Sequence, residues 1–286
     1  MQIYPINTGN FKLDGGAMFG VVPKVIWQKS NPADANNLID MALRCMLIED
    51  GNRLILVDNG NGDKQDAKFF SHYYLHGDDT LDKSLAKYGF NRNDITDVFL
   101  THLHFDHCGG SIIRQGDQLV PAFPNAVYWS NTEHWDWAVF PNDREKASFL
   151  KENILPIKES GQLQMVEING GINGQLGETV FTENISVRFV SGHTQAMMLP
   201  QIKYKGRTIV FMADLLPSAG HIPMPYVMAY DMFPLTTLHE KKSFLQEAVA
   251  NDYLLFFEHD PVNECCSLQQ TEKGIRAGTY FKLEEV

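Results

Sequence analysis

Short apolar runs separated by turn residues dominate the chain. Leu38–Ile48 and Arg53–Val57 flank the polar turn Glu49-Asp50-Gly51-Asn52, which predicts a β-hairpin ending at Asp58-Asn59-Gly60. Ahead of it, Gln2–Asn7 and Phe11–Leu13 read as two short strands, and Gly15–Pro23, apolar but glycine-broken, as a loop. Asp63–Leu75 and Asp79–Tyr88 read as helices, the first capped by Asp63, the second opening on Asp-Asp-Thr and stopping at Gly89. Asp97–Thr101 is a buried β-type run, followed by a short strand Ala126–Trp129. Asn131 can cap a helix holding His134, Trp135 and Trp137, and Asn142–Asn153 reads as another helix. After residue 163 short strands take over: Gln164–Ile168, Thr179–Phe181, Ser186–Val190, Met198–Tyr204 and Arg207–Met212. A helix over Thr237–Ala250 and a buried strand Tyr253–Phe257 close the pattern.

Two segments repeat one plan. MLIEDGNRLILVDNG and IKYKGRTIVFMADLL both run apolar strand, glycine turn, basic residue, apolar strand, aspartate. Each half then supplies helices. The pattern predicts an α/β fold of two stacked mixed sheets, each covered by helices on its outer face.

Composition narrows the class. The chain has 286 residues, enough to bury a full core without staples. Hydrophobic content is 44% and charged content 21%, ordinary for a globular protein. The net charge of −11 argues against nucleic acid or an anionic membrane as partner. Four cysteines, Cys45, Cys108, Cys265 and Cys266, make no disulfide framework and no CxxC pair. No signal-like start and no run of 18 apolar residues occur, so a cytoplasmic protein with a small-molecule substrate is expected. The glycine-rich Asn169–Gly177 lacks the basic residue of a phosphate loop.

The chemistry concentrates in Thr101–Gly110, THLHFDHCGG, which places His102, His104, Asp106 and His107 within six residues after a strand. An extended segment points alternate side chains the same way, so His102 and His104 share a side. Asp106 and His107 then face the same space from the following turn. Such donors suit a divalent metal such as zinc. Cys108 reads as a packed residue. Three more donors end later strands: His193 in SGHT, Asp214 in MAD and His259 in EHD. Seven donors exceed the needs of one zinc and suffice for two metals with an aspartate between them. Zinc leads, and iron, manganese and cobalt fit the same ligands.

THLHFDHCGG resembles the HxHxDH signature of the metallo-β-lactamase superfamily, and SGHT, ADLL and FEHD resemble its later ligand segments in order, with Asp58 in VDNG matching an early aspartate. The resemblance covers nearly the whole chain. It implies a four-layer αββα sandwich as one domain, 1–286, with an N-terminal apolar loop at about 15–29 that also hints at a homodimer. It implies His102, His104 and His193 on a first metal, Asp106, His107 and His259 on a second, and Asp214 bridging. GGAMFGVVPK and LLPSAGHIPMPYVMAYDMFPL look like the N-acyl-homoserine-lactone lactonase and methyl-parathion-hydrolase-like group. That implies a quorum-quenching lactonase-like hydrolase. Lactonases of that group carry a tyrosine three residues after the bridging aspartate. Here Pro217 stands there, leaving His221 or Tyr226 to replace it, or a different substrate.

The expected mechanism is attack of a metal-bridging hydroxide on a lactone or ester carbonyl, with Asp106 passing a proton to the leaving alkoxide. Asp58 and Thr101 are candidates for orienting the imidazoles. Met18, Phe19, Trp27, Phe105 and His221, with Met224, are expected to shape an apolar substrate pocket. His72, His76, His134 and His239 read as surface or packing residues. The alternatives are an organophosphate triesterase, a β-lactamase, or a metal-binding interaction protein without turnover.

Overall fold

The computed structural model describes residues 1–169 and 177–286, so most of the glycine-rich linker, residues 170–176, lies outside the described residues. The chain forms two compact units. Unit 1 comprises Met1–Asn10 and Leu43–Glu167, and unit 2 comprises Phe11–Ala42 and Ile168–Val286. Among the described residues no helix is long and apolar enough to cross a membrane.

The sheet that carries unit 1 has six strands in the order β1 (Gln2–Asp14), β2 (Leu38–Asp50), β3 (Arg53–Val57), β4 (Asp97–Phe99), β7 (Val127–Ser130) and β8 (Leu163–Met165). A separate hairpin pairs β5 (Ile112–Gln115) with β6 (Gln118–Pro121). β1 and β2 run through the unit boundary. The hairpin over Gly51 forms as its turn residues require, with Asp50 opposite Arg53. Beyond it β3, β4, β7 and β8 are mutually parallel. Leu54, Ile55, Leu56 and Val57 are all buried, the unbroken apolar run that a strand covered on both faces needs. The core of unit 1 gathers Leu47, Leu56, Val98, Tyr128, Trp135 and Ile157, each such burial stabilising by about 1.5–3 kcal/mol.

Unit 2 holds a seven-stranded sheet, β9 (Gly177–Val180), β10 (Ile185–Val190), β11 (Met197–Tyr204), β12 (Arg207–Phe211), β13 (Leu254–Phe256), β14 (Cys265–Thr271) and β15 (Gly274–Phe281), in spatial order β15-β14-β13-β12-β11-β10-β9. Both sheets are mixed. The repeat seen in the sequence is real at this level: β2–β3 and β11–β12 are antiparallel hairpins, and each second strand lies parallel to a following strand, β4 or β13.

Topology alone sets where polar residues collect. In unit 1 the parallel β3, β4 and β7 end at one edge, delivering Asp58, then His102–His107, then Asn131. In unit 2 both β10 and β12 are antiparallel to β11, and β13 is parallel to β12. Their C-terminal ends therefore share an edge, delivering His193, Asp214 and His259.

Several elements depart from the sequence reading. Gly15–Pro23, expected as a loop, carries helix α1 (Gly15–Phe19), because Asp14 caps it by accepting the Ala17 N–H at 2.8 Å; α2 (Lys24–Trp27) follows. The helix expected over Asp63–Leu75 shrinks to α3 (Ala67–Ser71), where Asp66 is the cap. α4 (Leu81–Lys87), α5 (Phe105–Cys108) and α6 (Thr132–Val139) follow, α6 capped by Asn131 as expected. Asn142–Asn153 is no continuous helix: the Asn142 carboxamide oxygen takes the N–H groups of Arg144 and Glu145, and the helix α7 is Lys151–Glu159. The last helix, α8, spans Pro234–Ala250 with proline in its first turn.

Candidate metal centre

In unit 1 the donors hang on a rigid turn. Asp58 adopts a left-handed φ of 56°, uncommon for a residue with a side chain. That bend lets its carboxylate serve three partners. It accepts the Thr101 N–H at 2.8 Å and the Thr101 hydroxyl at 2.6 Å, and meets His107 Nδ1 at 3.1 Å. Because Thr101 donates to Asp58, its oxygen accepts from His102 Nδ1 at 3.1 Å. His104 Nε2 meets Glu145 at 2.9 Å, and that carboxylate is itself held by Trp137 Nε1 and Asn142. Between the two histidines, the Leu103 N–H donates to His134 Nε2 at 2.8 Å. The two glycines after the motif have a steric reason. A Cβ on Gly109 or Gly110 would overlap the backbone of Asn61 or Asn59, so only glycine lets the Asp58–Lys64 loop close against this turn. Cys108 is buried, donates to Leu103 O at 3.3 Å, and burial pushes its thiol up to about 12.

In unit 2 the donors meet on one carboxylate. The Asp214 oxygens lie 3.1 Å from His193 Nε2 and 3.3 Å from His259 Nε2. His193 Nδ1 is held by Asp231 at 2.9 Å, and His259 Nδ1 by the Ala42 carbonyl at 2.8 Å. The Pro217 carbonyl takes the His259 N–H at 3.1 Å. The SGHT loop is fixed from both sides. Glu240 of α8 accepts the Ser191 and Gly192 N–H groups at 2.6 and 3.0 Å, and Met232 and Phe233 donate to the His193 and Gly192 carbonyls. Burial lifts the Glu240 carboxyl to about 7. Burial alone would lower His193, but the Asp214 and Asp231 carboxylates override it and raise it to about 10.

The neighbouring Lys241 is fully buried, and its ammonium reaches the carbonyls of Pro223, Tyr226 and Met224 at 2.7, 2.9 and 3.4 Å. Burial pulls it down to about 7, while Asp231 works the other way. Lys241→Met strips three carbonyls of a donor and is expected to cost about 2–4 kcal/mol in chemical unfolding.

The donor chemistry fits divalent metal ions. With the rings neutral, as metal ligation requires, assigning each histidine tautomer from its partner leaves one lone-pair nitrogen per ring: Nε2 of His102, His107, His193 and His259, and Nδ1 of His104. His102 Nε2 and His104 Nδ1 then face each other at 3.1 Å, two acceptors in contact that call for a cation or a proton between them. The same holds for His193 and His259 against Asp214. Each unit thus carries a cluster of histidine and aspartate donors suited to divalent metal, with every imidazole braced through its second nitrogen. Glu145→Gln and Asp231→Asn are each expected to weaken zinc binding about 10–100-fold in chelator competition, while the fold survives.

Asp106 lies on α5, 3.9 Å from His107 Nε2. Phe105 packs on Phe69 and Tyr73 at ring distances of 5.3 and 4.6 Å. Met18, Phe19, Trp27 and His221 form a buried group in unit 2: Phe19 stacks between Trp27 at 5.2 Å and His221 at 4.4 Å. His221 has both nitrogens engaged, Nε2 on the Met18 carbonyl at 2.9 Å and Nδ1 on Ser218 at 2.8 Å, and burial pushes it down to about 3. Glu145, Asp231, Glu240 and the bracing role of His134 were not read from the sequence. Only the Asn142 turn before Glu145 gives a local signal.

Comparison with known proteins identifies the family. A family model for the metallo-beta-lactamase superfamily matches residues 44–259, most of the chain. The chain therefore belongs to the metallo-beta-lactamase superfamily and is one of its hydrolases. Among solved structures it is similar to a probable metal-dependent hydrolase from Staphylococcus aureus, with 27% identity, TM-score 0.87, and 99% of this chain and 97% of that one covered. It shares its fold with AidC, a dizinc quorum-quenching lactonase in complex with a product, N-hexanoyl-L-homoserine, at 23% identity and TM-score 0.75, covering 98% and 95%. An N-acyl homoserine lactone hydrolase with N-hexanoyl-L-homoserine at its catalytic metal centre shares the fold at 19% identity and TM-score 0.68, covering 91% and 93%. No curated protein sequence matches the chain.

Proposed function

We propose that the chain is a dinuclear metal-dependent hydrolase that opens a lactone or cleaves an ester, with an N-acyl-homoserine lactone as the lead substrate. The observation that carries this reading is the set of five braced imidazoles with Asp106 and Asp214. His102, His104 and His193 are assigned to one metal, Asp106, His107 and His259 to the other, and Asp214 to both, zinc being the first choice and iron, manganese or cobalt compatible. Bound metals supply a water that ionises near neutral pH and an electrophilic partner for the scissile carbonyl. The protein's own part is to hold the imidazoles neutral and oriented and, through Asp106, to move a proton to the leaving alkoxide. The structural neighbours with lactone-derived products support the substrate class.

Substrate contacts are assigned to Phe105 in unit 1 and to Met18, Phe19, Trp27 and His221 in unit 2. Because the last four are nearly fully buried, substrate reaches them only where that stack opens. His221 has both nitrogens engaged, which favours Tyr226 over His221 in the role left by Pro217. We take residues 1–286 to work as one domain, in a reducing compartment such as the cytoplasm that suits four buried free thiols, and as a homodimer. Pro217 also keeps a second reading in view, a phosphotriesterase or β-lactamase. Turnover of N-hexanoyl-homoserine lactone, a paraoxon-type triester and nitrocefin by zinc-loaded protein separates these. Lactone turnover that chelation removes and zinc restores is expected. No lactone turnover with triester or nitrocefin hydrolysis overturns the lactone assignment.

A further inference from the structure

Unit 2 holds a cleft of 810 Å³, within the size range of small-molecule sites. None of the seven metal donors lines it, nor do Met18, Phe19, Trp27, Phe105 or His221; of the residues weighed for substrate contact Tyr226 alone does. Its walls are largely apolar: Ile26, Ile39, Ile222, Val262 and Tyr280 all contribute. Ile26, Val262 and Tyr280 are exposed at 47%, 73% and 49%, so the apolar surface opens to solvent instead of being sealed by the chain.

Four charged residues line the cleft, the carboxylates Asp40 and Asp260 and the cations Lys29 and Arg276. Asp260 is consumed by the N–H groups of Ala219, Val262 and Asn263 at 3.0, 2.9 and 2.7 Å. Asp40 faces Lys12 at 3.5 Å. The two cations have no such partner. Among the described residues Lys29 and Arg276 meet no carboxylate, and the one side-chain hydrogen bond of Arg276 runs from Nη1 to the Ile275 carbonyl at 2.7 Å. Both cations are therefore open to a carboxylate placed over the apolar trough. A guanidinium presents a planar fork of donors that matches a carboxylate. The floor is also held in place, since Lys241 ties down the carbonyls of Pro223 and Tyr226, two residues that line the cleft.

We propose that this cleft is a second ligand site, taking an amphipathic carboxylate whose head lies on Arg276 and Lys29 and whose alkyl tail lies along Ile39, Ile222 and Val262. The site does not depend on the metal reading.

Calorimetric titration of decanoate into the full, zinc-loaded chain tests it. Saturable binding is expected, weakened about tenfold or more by Arg276→Gln and by Lys29→Gln, with Tm unchanged as the check on folding. Arg276→Lys should fall between wild type and Arg276→Gln, since the charge stays and the planar fork is lost. Decanol, with the same tail and no charge, should bind at least tenfold more weakly. Equal decanoate binding by wild type and both glutamine variants would place the ligand elsewhere, at the metals for example, and overturn the proposal. So would decanol binding as tightly as decanoate, no saturable binding, or a dimer whose assembly excludes decanoate.

Discussion

Asp214→Asn is expected to leave a folded protein with little bound metal and hydrolytic turnover reduced by more than the roughly 100-fold that loss of an imidazole-bracing group costs. Asp214 is reached through Ala213 at a left-handed φ of 40°, and this bend presents one carboxylate to the Nε2 atoms of both His193 and His259. An asparagine keeps the shape and offers one N–H₂ to an imidazole, so packing survives. It removes the negative charge that balances a cation between the two rings. The metal-free protein gives a second readout. His193 is raised from 6.5 to about 10, burial opposing and Asp214 and Asp231 prevailing. A histidine raised on folding stabilises fully below its unfolded value and loses that contribution as pH climbs through the folded one. Thermal stability of the metal-free wild type should therefore fall between about pH 6.5 and 10. The slope should be shallower in Asp214→Asn. Equal slopes in melts across that range would detach Asp214 from His193.

Gly192→Ala should be the most damaging small substitution outside the donors. A Cβ there would overlap the Thr237 backbone at the start of α8. Backbone cannot swing aside as a flexible side chain can. The SGHT loop must therefore move off the helix, losing the Glu240 bonds to Ser191 and Gly192 and shifting His193. Overpacking of this kind costs about 3 kcal/mol, a Tm fall of roughly 6–12 °C at this size. Calorimetry with an activity assay should show both stability and turnover falling. Stable, fully active Gly192→Ala would mean that the loop does not rest on α8.

The donors were legible because a metal-binding cluster leaves a local trace. THLHFDHCGG is dense in sequence, and His193, Asp214 and His259 each follow a recognisable apolar strand. The repeated hairpin was legible for the same reason: turn chemistry and strand pattern are short-range. The bracing groups were not. Glu145 reaches His104 across 41 residues and Asp231 reaches His193 across 38, and nothing local marks either. His134 sat in a correctly predicted helix, yet its bond to the Leu103 N–H depends on β4 and β7 lying side by side. Periodicity also failed where side chains captured backbone. Asn142 turned an expected helix into a turn. Lys64, buried with its ammonium on the Gly109 carbonyl, holds the start of the expected Asp63–Leu75 helix in loop form. α7 runs through Pro156, where proline normally ends a helix, so local sequence does not mark its span. The hairpin of β14 and β15 leaves no clear sequence signal, since its strands are only partly buried and lack clean alternation.

The central claim is that two donor clusters, one in each unit, serve a pair of metal ions. Elemental analysis of protein loaded with zinc and freed of excess tests it most directly, with His104→Ala and His259→Ala alongside. Two zinc ions per chain are expected, with each variant losing metal and hydrolytic turnover together. One zinc or none in the wild type, or full turnover in either variant, would contradict the account.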